Sequence, residues 1–80
     1  MTVSFIVEQA GCQSCASKVR QALAPLGQVE EVVIDESADL GVVRLEPSDE
    51  VSEERVNALL AEASGSGHAY KVRAGSFAQT

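Results

Sequence analysis

The hydrophobic period of this chain switches from that of a strand to that of a helix across one short break, and both cysteines lie at the switch. Val3, Phe5 and Val7 alternate with Thr2, Ser4 and Glu8, which predicts a strand over residues 2–8 with one face buried. Ile6 is the exception on its outer face. Gln9-Ala10-Gly11 interrupts the pattern, and Gly11 is expected to take turn angles that other residues avoid. From Ser14, an N-cap candidate, Cys15, Val19, Ala22, Leu23 and Leu26 share one stripe of a helix. Pro25 and Gly27 end it.

Two strands follow. Val29, Val32 and Ile34 form the inward set of the first, and their uneven spacing predicts a bulge or an irregular start. Ser37 to Gly41 reads as a turn, Val43 and Leu45 point inward in the next strand, and Pro47 ends it. A second helix is expected from about Glu53 to Ala63. Ser52 caps it, Val51 and Val56 sit at the two positions of a hydrophobic staple, and Val56, Leu59, Leu60 and Ala63 form the buried stripe. Ser64 to Gly67 reads as a flexible connection, and His68 to Arg73 as a last short strand with Tyr70 and Val72 inward.

This order is β-α-β-β-α-β. It predicts an α+β, ferredoxin-like sandwich: a four-stranded antiparallel sheet in the order 4-1-3-2, with two helices on one face. Residues 1–74 make the domain and 75–80 a frayed tail. The loops at 9–13, 35–40 and 64–68 fall at one end of the sheet, which brings the cysteines near His68.

Twelve acids against six bases give a net charge of −6. That charge argues against nucleic acid and against anionic membrane surfaces as partners. No stretch is long and apolar enough for membrane insertion, and the first residues lack the pattern of a secretory signal, so a soluble, cytoplasmic protein is expected. There a lone C-x-x-C stays reduced and serves as a metal or redox site.

Thiolates are soft ligands that select Cu(I), Zn(II) and similar ions. A closed zinc site needs four donors, and this chain offers two Cys, one His and scattered carboxylates. Cu(I) accepts two sulfurs and stays open to a third from a partner. Cys15, in the first helical turn, gains from the helix dipole, which lowers a thiol pKa, and Lys18 adds to this. A redox cysteine gains from the same effect, so a metal clamp and a disulfide exchanger both remain open.

The run Thr2 to Glu8, then Gly11-Cys12-Gln13-Ser14-Cys15-Ala16-Ser17-Lys18-Val19, then Ala22-Leu23, Leu26 and Val29, resembles the heavy-metal-associated domain of copper chaperones and copper-transporting P-type ATPases. Val32 to Asp35, Val43 to Leu45 and Val56 to Ala63 fit as well, so the resemblance spans roughly residues 2–73. It implies a ferredoxin-like fold with Cys12 and Cys15 as Cu(I) ligands. Implied partners are a metal-transporting ATPase or another cysteine-pair domain, met as a monomer or a metal-bridged dimer. Where the family usually has Gly-Met-x before its first cysteine, this chain has Gln9-Ala10-Gly11, and the small Ala10 predicts a less filled loop. Where the family commonly carries Lys, Tyr or Phe in the last loop, the nearest match is His68, a candidate third metal ligand through its imidazole. Tyr70 reads as a core residue. Lys18 and Lys71 read as surface charges able to offset a Cu(I)-dithiolate. The acidic hairpin cluster Asp35, Glu36 and Asp39 could steer a partner's lysines.

Together these features predict a non-enzymatic module that holds one Cu(I), or alternatively Zn(II) or another soft ion, between Cys12 and Cys15 and passes it on by ligand exchange. The alternatives are a thiol–disulfide redox protein and a ferredoxin-like interaction module with weakened metal binding.

Overall fold

The computed structural model describes residues 2–64 and 69–79. Strand β1 (Val3–Glu8) leads into helix α1 (Cys15–Leu23). Strands β2 (Gly27–Asp35) and β3 (Leu40–Pro47) form a hairpin, followed by helix α2 (Glu53–Ala63) and the short strands β4 (Lys71–Val72) and β5 (Ala78–Gln79). The sheet runs β2-β3-β1-β4, all antiparallel, which is the expected ferredoxin-like order. Its registers pair the inward residues of neighbouring strands: Phe5 with Val43, Val3 with Leu45, Val32 with Val43. The predicted bulge falls between Val29 and Glu31, and it restores the inward set of β2 after the break. The guanidinium of Arg20 on α1 donates to the carbonyl of Val29 there.

Both helices bury their apolar stripes on this sheet. Val19 and Leu23 of α1, Val56 and Leu60 of α2, and Val3, Phe5, Val7, Val43 and Leu45 are all at most 1% exposed. No charged side chain is buried among the described residues. The Ser52 hydroxyl accepts the Arg55 amide at 3.2 Å, and the staple residues Val51 and Val56 are both buried. Helix α1 ends earlier than its stripe suggests: Ala24–Leu26, with Pro25 in its first turn, tightens to a 3-10 turn. Gly27 then takes φ +152°, and a Cβ there would strike the Glu46 carbonyl oxygen.

The fourth sheet position differs from expectation. Instead of one strand over 68–73 and a frayed end, two two-residue strands share the edge of β1. β4 pairs with Val7 and Glu8, while β5 pairs with Val3 and Ser4. The break between them is itself bonded. Arg73 N–H donates to Ile6 C=O, and Ile6 N–H to the Ser76 hydroxyl, across a turn with Gly75 at φ +83°. Phe77 explains why the end is held: its ring stacks on Phe5 with centroids 5.9 Å apart.

The outer face of the sheet is open, with Val33 and Val42 exposed in one cross-strand row with Ile6. No helix among the described residues is long and apolar enough to cross a membrane.

Candidate metal centre

The two cysteines sit on one turn but in different surroundings. Cys15 is the first residue of α1 and is fully buried, whereas Cys12 lies before the helix and is half-buried. The Cys15 amide donates to the Cys12 carbonyl at 3.1 Å, which closes the turn. Ser14 occupies the N-cap position, but its side chain caps nothing. Its hydroxyl lies 3.5 Å from the Cys12 sulfur instead.

The sulfurs are joined as a disulfide, where the sequence reading expects free thiols. The turn itself permits this, because its Cα atoms are 5.1 Å apart, within the range a disulfide spans. The bond closes a loop of only a few residues, so it adds little restraint to the fold. Two-electron reduction frees both sulfurs on the same turn.

Tyr70 is the site residue that sequence reasoning missed. Its ring is buried as expected, but its hydroxyl donates to the Cys15 sulfur at 3.1 Å. Helix α2 sets this position. The Tyr70 amide donates to the Ser64 hydroxyl, which itself donates to the Leu60 carbonyl, and the Val72 amide donates to Asn57 Oδ1 at 2.7 Å. Burial pushes the Tyr70 phenol above its ordinary range, so the group stays a protonated donor at neutral pH. Such a donor interacts more strongly with a thiolate than with a neutral sulfur. The only available signal was the alternation of Tyr70 with Val72, which gives the side it faces but not what its hydroxyl meets.

The loop before Cys12 packs against the β2–β3 hairpin. The Gln9 amide donates to the Asp39 carbonyl at 2.9 Å and the Gly11 amide to Asp39 Oδ1 at 3.1 Å. On the other side, Gln9 Oε1 accepts the Ala69 amide. Three chain segments thus meet at one end of the sheet, as the topology requires. Left-handed backbone falls on Gln9, at φ +62°, and not on Gly11. Gly11 is needed for space: a Cβ there would lie 2.5 Å from Asp39 Cα. Ala10 is fully buried, close to Gly41 of β3.

Of the remaining expected site residues, His68 lies outside the described residues. Lys18 is exposed and lines a groove between α1 and α2 with Pro25, Leu59 and Glu62. Lys71 is exposed at the end of β4, opposite Glu8. No group of three or more His, Cys, Asp or Glu among the described residues could hold a metal ion. The two sulfurs, once reduced, are soft donors held on one turn.

A family model described as the heavy-metal-associated domain matches residues 4–66. Among solved structures, oxidized MerP from Ralstonia metallidurans CH34 is similar at 17% identity and a TM-score of 0.57, covering 91% of this chain and 99% of that one. A second, described as "Crosstalk between Cu(I) and Zn(II) homeostasis", is similar at 22% identity and a TM-score of 0.56, with the same coverage of 91% and 99%. At these identities the likeness is one of fold. No curated protein matches the chain significantly.

Proposed function

Because this chain belongs to the heavy-metal-associated domain family, we propose that in its reduced state it carries one Cu(I) between Cys12 and Cys15 and delivers it to another cysteine pair by ligand exchange. The graded burial of the two sulfurs carries this reading: Cys15 is sealed in the core against a phenol, whereas Cys12 is only half-buried. A partner thiolate reaches the ion from the Cys12 side. Cys15, held by α1 and by Tyr70, keeps its place while Cys12 is exchanged. No bond is made or broken in a substrate, so the activity is transfer and not catalysis. A pair of thiolates suits a soft ion such as Cu(I). His68 is the candidate third donor, and His68→Ala tests it through affinity and its pH dependence. The receiving pair belongs to a metal-transporting ATPase or a separate domain in the cytoplasm, where thiols are kept reduced.

Anaerobic titration of the reduced protein with Cu(I) against a competing chelator tests the proposal. Saturation at one ion per chain or per metal-bridged dimer is expected, and Cys12→Ala or Cys15→Ala abolishes it. A reduced, folded protein that leaves all copper with the chelator refutes it.

The Cys12–Cys15 disulfide supports a second reading, thiol–disulfide exchange with a partner dithiol. Turnover in an insulin-reduction assay by a protein that does not retain Cu(I) is the result that favours it.

A further inference from the structure

We propose that Asp39 is a positioning residue for the cysteine loop, reaching from the β2–β3 hairpin to hold the segment that presents Cys12. The proposal rests on the reading of that loop as the metal centre.

Asp39 has φ +53°, a left-handed conformation in which glycine is the unstrained choice. Aspartate is among the few side chains that tolerate it. The turn is closed by the Asp39 amide donating to the Glu36 carbonyl, which any residue could supply. Two further contacts go across to the cysteine loop: the Asp39 carbonyl takes the Gln9 amide, and its carboxylate takes the Gly11 amide. They grip either side of Ala10, which is fully buried. The surfaces also interlock. The space where a Gly11 Cβ would stand is occupied by Asp39 Cα, by Asp39 Oδ1 at 2.8 Å and by the Asp35 carbonyl at 3.0 Å.

Cys12 follows Gly11 directly. Cys15 is fixed independently, by its place in α1 and by Tyr70. Besides the Cys15 amide bond to the Cys12 carbonyl that closes the turn, the place of the half-buried Cys12 sulfur depends on how the preceding loop is anchored. The Asp39 carboxylate anchors the residue immediately before Cys12.

Two substitutions separate the side chain from the backbone. Asp39→Asn keeps an acceptor oxygen and tolerates the left-handed conformation, whereas Asp39→Gly relieves the backbone and removes the acceptor. In the reduced, metal-free protein, the Gly11 amide should exchange with solvent about tenfold faster in Asp39→Gly and near the wild-type rate in Asp39→Asn. Cu(I) affinity, measured against bathocuproine disulfonate, should fall about fivefold in Asp39→Gly and recover in Asp39→Asn. The melting temperature of Asp39→Gly should not fall below that of the wild type. Equal Gly11 exchange in all three proteins overturns the proposal. So does an Asn variant as impaired as the Gly variant, or an affinity loss that tracks lost fold stability. Should the wild type itself retain no Cu(I), the metal reading fails, and Gly11 exchange alone decides whether Asp39 holds the loop.

Discussion

The hydroxyl of Tyr70 donates to the sulfur of Cys15 across a sequence separation of 55 residues, and both side chains are buried. This contact ties the segment just before β4 to the start of the first helix. It also makes the single tyrosine of the chain a reporter on the cysteine turn.

Burial raises the folded-state pKa of that phenol above its ordinary value of 10.0. A group whose folded pKa is raised contributes stability that is fully present below the unfolded pKa and is lost as pH rises through the folded value. Fold stability should therefore decline above pH 10, and phenolate absorbance should appear only above the range of free tyrosine. In Tyr70→Phe the decline should flatten. An unshifted phenolate titration would falsify the buried placement of the hydroxyl.

Phe77 tests whether the C-terminal segment is part of the fold. Its ring stacks on Phe5, which is 1% exposed. Phe77→Ala should cost about 2 kcal/mol, from lost burial and the lost ring pair. In a domain of this size that lowers Tm by roughly 8–16 °C. A frayed end would give no change in a thermal melt.

Gly11→Ala should displace the hairpin, because the added methyl carbon would stand 2.5 Å from Asp39 Cα and 2.8 Å from its carboxylate oxygen. Overpacking of this kind costs about 1–3 kcal/mol, readable by urea denaturation. Amide chemical shifts should move at Asp35 and Asp39 as well as in the cysteine loop. Changes confined to Gly11 and its chain neighbours contradict the interlocked surfaces.

Asp35 turns the hairpin by accepting from the Ser37 hydroxyl at 2.7 Å and from the Ala38 amide at 3.2 Å. The Ser37 hydrogen bond, followed by that of Ala38, lowers its carboxyl pKa below 3.8. The associated stability is present above 3.8 and is lost as pH falls through the lowered value. Ser37→Ala should bring the Asp35 titration, followed by side-chain carboxyl NMR, back toward 3.8.

Periodicity made most of this fold legible. Helix α2 occupies its expected residues, because Ser52 and the Val51–Val56 staple mark its start in the sequence itself. The uneven spacing of Val29, Val32 and Ile34 announced the bulge. What stayed hidden depended on partners distant in sequence. Gly75-Ser76 reads as a chain fraying out, and only the Phe5 ring, at the other end of the sequence, shows why Phe77 is held. Asp39 belongs to a run of hairpin acids that read as solvated or steering charges, and no local pattern singles out the one whose carboxylate meets Gly11. Glycine itself misled at Gly11, where the need is for room; the left-handed residue is Gln9, at the position where the resembling family usually has Gly. The cysteine pair was the plainest signal, and the helical stripe that begins at Cys15 placed that residue on the buried side, but not the Tyr70 hydroxyl its sulfur meets.

The bulged strand β2 has one further consequence. It forms an outer margin of the sheet, so part of its backbone is free to recruit a strand from another molecule. The irregularity between Val29 and Glu31 spoils the straight ladder such recruitment needs, and Glu30, Glu31 and Asp35 would set negative charge against negative charge between two copies. Crowded copies of this protein should therefore resist zipping together into ribbons along that margin.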